Sequence, residues 1–430
     1  MTGNLLVSNA RYLDVASGQW REGDLRIQDG LFVDAGIPLP AQGEDRLDAA
    51  GKYVLPGLID CHVHLTAVTA DLSLLTELSP SYVAFGAARI MKAMLSRGFT
   101  SVRDVGGADY GIHEAQKEGL LVGPRVFFGG KALSQTGGHG DPRSRGRNTR
   151  DDHYYCRPSL ARLADGVDAV RLAAREELRR GAHHVKIMAG GGVASPTDRI
   201  DSTQYSLPEI QAIVEEAEAA NRYVTAHAYT ARSINRALRA GVRGIEHGNL
   251  LDDESIALLR ERQAFITMNL VTYWALQEEG REHGLSEENW SRVATVLDSG
   301  QEALGRAHAG GVNPAYGSDL LGGMHRYQAK EFSIRAQTIP TIDVIRSATT
   351  VAAALLNREG ELGTIGPGAV GDLVITDDDP LADIEVLSQS RLRYVIQNGR
   401  IVFETAMADQ ESCRAPTLRR SRKPRVGTSD

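Results

Sequence analysis

The chain has 430 residues, 42% hydrophobic and 24% charged, with a formal net charge of −7. That composition fits a globular protein with room for one large domain and a smaller one, and the acidic balance argues against a general nucleic-acid binder. No apolar stretch is long enough for a membrane span, and MTGNLLVSNARYLDV lacks the basic and apolar regions of a secretory signal. Three scattered cysteines, Cys61, Cys156 and Cys413, build neither a disulfide framework nor a cysteine metal site. A cytoplasmic protein is the expectation.

Residues 4–55 read as short strands separated by turn signals: LLVSNARYLD, DLRIQDGLFVDAG and DRLDAAGKYVLPG. The same texture returns in GAVGDLVITDDDPL and RLRYVIQNGRIVFE. Segments 1–55 and 363–405 are therefore expected to pair into a small β-sandwich domain around a central domain at 56–362. Residues 406–430 are polar, basic and aperiodic, and are expected to form a disordered tail.

In the middle, eight apolar runs alternate with helical stretches. The runs are 53–65, 100–106, 125–134, 184–189, 223–229, 244–249, 264–270 and 313–321. LPEIQAIVEEAEAANR (207–222) spaces apolar residues as a helix does over a charged face, with Pro208 in its first turn. Eight strand–helix units over roughly 300 residues predict an α/β fold, a (β/α)8 TIM barrel. A doubly wound sheet would alternate similarly, but no G-x-G-x-x-G follows the first strand.

Catalytic groups of such a barrel belong at the C-terminal ends of its strands. His62 and His64 close the first run, alternating so that both project to one face. Lys186 lies late in the fourth, His227 ends the fifth, His247 the sixth and Asp319 the eighth. Singly, a strand histidine is more often structural and a lysine more often salt-bridged. Together they form a donor set for zinc or a similar divalent ion. A protonated lysine cannot ligate, but a carbamate formed from its amine and CO2 can bridge two ions. Two metals about 3.5–4 Å apart would share a hydroxide and polarise a carbonyl. His113, His153, His183, His283 and His308 lack strand-end placement and read as surface or packing residues.

With these motifs the chain resembles the amidohydrolase superfamily over nearly its whole length. GFTSVRDVGG, GGHGD, KIMAGGGVASPTD, AHAYT, GIEHGN, GSDLLGGMH and GDLVITDDDPLADI resemble more narrowly its Xaa-Pro/Xaa-Arg dipeptidase and imidazolonepropionase-like branch. The resemblance implies two divalent ions, zinc foremost. His62, His64 and Asp319 would hold the more buried one, His227 and His247 the other, with carboxylated Lys186 as the bridge. It also implies that Asp319 moves the proton of the attacking hydroxide to the leaving amine.

Tyr229 shares a face with His227, and its hydroxyl is expected to donate to the developing oxyanion; otherwise its ring only packs in the mouth. His139 lies in the glycine-rich ALSQTGGHGDPRSRGR, and the resemblance places it near a substrate carboxylate, a hinge role being the alternative. Arg143, Arg145, Arg147 and Arg150 make that loop basic, more simply to solvate it than to attract substrate. His325 and Arg326 are further candidates for the specificity pocket.

The leading expectation is hydrolysis of an amide bond in dipeptides or N-acyl amino acids with a free carboxylate. Xenobiotic amides, carbamates or phenylureas come next, then cyclic amides. Deamination falls behind because relatives that carry it out commonly use one metal without the lysine bridge, and a decayed binding barrel and a scaffold fall behind because no ligand position is substituted. Expected partners are small molecules and, as in many relatives, further copies of the same chain; neither nucleic acid nor membrane is expected.

Overall fold

The computed structural model describes residues 2–36, 38–143, 157–193, 198–282 and 287–405, the side chains of 288, 289 and 292 excepted. The expected tail at 406–430 and Arg145, Arg147 and Arg150 lie outside the described residues.

Parallel strands alternating with helices form the middle of the chain, in two arcs. Leu58–Val63, Phe99–Asp104 and Arg125–Phe128 pair in that order. The second arc runs Ala161–Leu163, Ala132–Ser134, Val185–Met188, Val224–Thr230, Gly244–Leu250, Phe265–Met268, Ala315–Tyr316. The result is an α/β fold, TIM-barrel-like, without one continuous ladder. Where the arcs meet, single backbone bonds take over: His183 N–H to the Phe128 carbonyl and Asp319 N–H to that of His62, each 2.8 Å.

Three of the anticipated runs divide differently. Residues 53–65 split at Gly57, because Tyr53–Pro56 pairs with the flanking sheet while Leu58–Val63 enters the barrel. A Cβ on Gly57 would sit 2.2 Å from Thr100 Oγ1, so only glycine allows this crossing. Residues 125–134 break at Gly129 and Gly130. Gly130 has a φ of +73°, and a Cβ there would lie 2.1 Å from Glu177 Oε2. Of residues 313–321 only Ala315–Tyr316 is strand.

Helices cover the outside with regular apolar faces. Pro80–Ser96 buries Val83, Ala87, Ile90, Met91, Met94 and Leu95 at three- and four-residue steps. Leu207–Ala219 starts with Pro208 in its first turn, and Ser206 N–H donates to Glu209 Oε2 at 2.7 Å.

Both chain ends contribute to the flanking strands, which form one connected eight-stranded sheet rather than two separately hydrogen-bonded sheets of a sandwich. Alternation divides its side chains. Val54, Leu373, Ile375 and Ile396 pack in the sheet's own core, while Leu55, Val374 and Val395 join the barrel core. No helix among the described residues is long and apolar enough to cross a membrane.

Candidate active site

Hydrogen bonds behind each histidine decide which nitrogen faces the barrel mouth. His62 Nδ1 lies 2.8 Å from Glu246 Oε2, and His64 Nδ1 lies 2.8 Å from the Gly106 carbonyl. Both partners are acceptors, so each Nδ1 donates and each Nε2 is turned toward the mouth. Each Nε2 is 3.2 Å from the same Asp319 Oδ1.

The second pair follows the same logic. His227 Nε2 is 3.0 Å from the Gly191 carbonyl, which can only accept, so Nδ1 is bare. His247 Nδ1 is 3.1 Å from Tyr273 Oη, and Tyr273 spends its own proton on Tyr229 Oη at 2.8 Å. Tyr273 therefore accepts from His247, leaving His247 Nε2 bare. It faces His227 Nδ1 at 2.8 Å. Burial holds both imidazoles well below the usual histidine range, in the neutral form that ligates.

Nitrogens of four histidines and a carboxylate thus converge at the strand ends, and this donor set fits a divalent metal. His62, His64 and Asp319 offer ligand atoms within 4.8 Å of one another. Burial opposes ionisation of Asp319, but His62 and His64 outweigh it and hold its carboxyl well below the usual range.

Lys186 is 2% exposed and has no hydrogen-bond partner among the described residues. Burial pushes its amine down to about 8, against the attraction of Glu246 and Asp319. An unprotonated amine is the form that can react with CO2.

The framework beneath is ionic. Arg103 and Glu246, both fully buried, join through Nη2 and Oε1 at 2.6 Å. Burial alone would raise the Glu246 acid, but Arg103 and the His62 bond hold it well below the usual range. Strict alternation would send Glu246 and His247 to opposite faces. His247 interrupts it with a φ of +75°, so its ring also reaches His62, 5.1 Å between centroids. Asp319 is left-handed as well, at +52°. Such backbone costs about 1–3 kcal/mol per residue and collects at functional sites.

Two buried carboxylates fix the strand ends. Asp60 accepts from His62 N–H and Ser318 N–H, each at 3.1 Å, from Ser318 Oγ at 2.6 Å and from Gln328 Nε2 at 2.8 Å. Asp104 accepts from the backbone of Leu65, Gly106 and Ala108, which sets the carbonyl that aims His64.

Of the remaining anticipated residues, His139 stacks on His227 with ring centroids 4.2 Å apart. Its Nδ1 is buried without a hydrogen-bond partner among the described residues, 3.9 Å from Asp198 Oδ2. The Tyr229 ring lies 5.0 Å from that of His247. His325 is buried, its Nε2 3.2 Å from the Ala67 carbonyl. Arg326 does not join them. Its exposed guanidinium pairs with Glu279 and bonds the Gly323 carbonyl, so a pocket role is replaced by a surface ion pair. Arg143 is neutralised by Asp141 through two bonds of 2.8 and 2.7 Å. His113 and His183 pack with Phe128, and His308 pairs with Asp343 at 2.9 Å.

Sequence reasoning missed Glu246, Asp60, Asp104 and Tyr273. The three acids carry a readable signal, a charge inside an apolar strand run. Tyr273 carries none, because it sits on the helix Leu270–Glu279 beyond a strand end.

A histidine-rich candidate cation site at the C-terminal ends of parallel barrel strands marks a class of hydrolases. The profile of the Amidohydrolase family matches residues 53–402, and the chain belongs to that family of amide-bond-hydrolysing enzymes. It is 32% identical over 364 residues to ochratoxinase of Aspergillus niger, spanning 81% of this chain and 75% of the relative. A prolidase solved in complex with N-methylphosphonate-L-proline is similar at 47% identity and a TM-score of 0.92, over 94% of this chain and 100% of the other. A Xaa-Pro dipeptidase with methionine bound in its active site is 28% identical, with a TM-score of 0.83 over 94% and 100%.

Proposed function

We propose that the chain is a binuclear metal-dependent amidohydrolase cleaving dipeptides or N-acyl amino acids that carry a free carboxylate, acylated prolines included. The observation that carries the metal reading is the convergence of His62, His64 and Asp319 ligand atoms within 4.8 Å of one another, with His227 Nδ1 and His247 Nε2 facing at 2.8 Å. His62, His64 and Asp319 would hold one ion and His227 and His247 the other, with Lys186 joining them as a carbamate. Zinc suits these donors. The ions when bound supply an acidified water and polarise the amide carbonyl.

The chain's own residues do the rest. Asp319, kept ionised, accepts the proton of the attacking water and delivers it to the departing amine. Tyr229 accepts from Tyr273, so its own proton is free to meet the carbonyl oxygen as charge builds there. His139, on the glycine-rich loop beside His227, receives the substrate carboxylate. The similarity to a prolidase solved with a proline-containing phosphonate supports a proline on the leaving side.

A second reading is hydrolysis of a bulkier mycotoxin-type amide, favoured by the similarity to ochratoxinase. Metal analysis with a substrate panel tests both. The expected result is about two divalent ions per chain, with N-acyl prolines and dipeptides turned over at least about tenfold faster than their carboxamides. A chain that binds no metal overturns the metal reading. Equal turnover of carboxylates and carboxamides overturns the carboxylate preference, and selective turnover of aryl amides installs the second reading.

A further inference from the structure

Tyr273 is 1% exposed and lies outside the strand ends that supply the ligands. Its hydroxyl is nevertheless the centre of a one-way hydrogen-bond chain. His247 Nδ1 lies 3.1 Å away on one side and Tyr229 Oη 2.8 Å away on the other. The geometry fixes the direction between the tyrosines: Tyr273 donates and Tyr229 accepts. A phenol has one proton, so Tyr273 can only accept from His247. A second acceptor, Asp319 Oδ2, lies 3.9 Å from the same His247 nitrogen and favours the same tautomer.

Two consequences follow at opposite ends of the chain. His247 must keep its proton on Nδ1, which leaves Nε2 as an electron-pair donor facing His227. Tyr229, whose oxygen already accepts, must send its own proton elsewhere, toward the barrel mouth. We infer that Tyr273 is a positioning residue that sets the ligating tautomer of His247 and aims the Tyr229 proton at the substrate. It touches neither substrate nor reacting atoms. The inference rests on the metal-hydrolase reading above, because its two ends are a proposed ligand and a proposed oxyanion donor.

The burial of this chain explains why a single hydroxyl matters. With His247 and Tyr273 only 3% and 1% exposed, the bond between them lies away from bulk solvent, where a lost acceptor is costly to replace. Outer partners of ligating histidines fix ring tautomer and orientation, and their loss typically lowers metal affinity about 10- to 100-fold.

Tyr273→Phe keeps the ring and removes both bonds. Metal retention is read by titrating the zinc-loaded protein with a chelator, alongside kcat and KM for an N-acyl proline. The variant is expected to lose one ion of two at about 10- to 100-fold lower chelator strength, and to lower kcat with little change in KM. In a Tyr229→Phe background with zinc held saturating, the same change should leave kcat nearly unaltered, while the lowered resistance to chelator persists. Isotope-labelled histidine reports the tautomer independently of turnover: wild-type His247 should show a protonated Nδ1 and the variant a changed signal. A wild-type chain that binds no metal defeats the underlying reading. Metal retention, kcat and tautomer all unchanged in Tyr273→Phe, with the wild type metal-loaded, overturn the role of Tyr273 alone. Should Tyr273→Phe fail to fold, the wild-type spectrum decides: a bare Nδ1 on His247 overturns the inference.

Discussion

Glu246 ties the His62 imidazole to the Arg103 guanidinium, 2.8 Å on one oxygen and 2.6 Å on the other, with all three side chains buried. The carboxylate thereby performs two tasks at once. It neutralises a buried cation and turns His62 Nε2 toward Asp319. Thr225 adds a hydroxyl bond to the same oxygen as Arg103.

Glu246→Gln keeps the shape and removes the charge, so Arg103 is left buried without a counter-ion. Breaking one partner of such a pair costs about 3–5 kcal/mol. Urea unfolding of the metal-free protein measures it. A loss below about 1 kcal/mol would mean that Arg103 finds sufficient compensation elsewhere.

Lys186 links stability to pH. Its amine sits near 8 in the folded chain against an ordinary 10.5, because burial disfavours the ammonium. Between these values the unfolded chain binds the extra proton, so stability of the metal-free protein rises with pH from about 8 to 10.5. The gap between the two values bounds the gain at about 3 kcal/mol. Lys186→Met should flatten that rise relative to wild type in unfolding experiments run with chelator and without bicarbonate. A parallel pH dependence in the two proteins would contradict the assignment.

Asp319 is asked to move a proton as well as to ligate. Asp319→Asn preserves a ligating oxygen and abolishes the base, so kcat should fall about 10²- to 10⁴-fold with metal still bound. Near-native turnover at full metal content would remove Asp319 from the proton path.

Recognition and chemistry separate at two other residues. Tyr229→Phe should chiefly lower kcat, whereas His139→Ala should chiefly raise KM for carboxylate substrates and leave neutral amides little affected. Gly192→Ala offers a second approach. Its Cβ would fall 2.0–2.6 Å from His139 ring atoms and displace the ring, so it should mimic His139→Ala. An unchanged KM in both variants would take carboxylate binding away from this loop.

The sequence by itself determined the strand–helix repeat and the order of the candidate donors along it. Alternating apolar runs and amphipathic stretches specify strand–helix repeats, and histidines, lysine and aspartate at the ends of those runs fall on one rim of any parallel barrel, whatever its details. Periodicity is a local property, so it survives without knowledge of packing. Its limits show at Gly57 and at Gly129–Gly130, where apolar runs continue through a change of sheet that only close approach of distant atoms imposes. Only the tertiary structure decided which nitrogen of each histidine is turned away from the mouth, because that depends on partners brought from far along the chain: Glu246 for His62, Gly106 for His64, Gly191 for His227 and Tyr273 for His247. It also moved Arg326 out of the pocket, since Glu279, 47 residues away in sequence, captures its charge at the surface. Residue type and spacing can name a donor set, but the direction of each donor is fixed by long-range hydrogen bonds that no local pattern encodes.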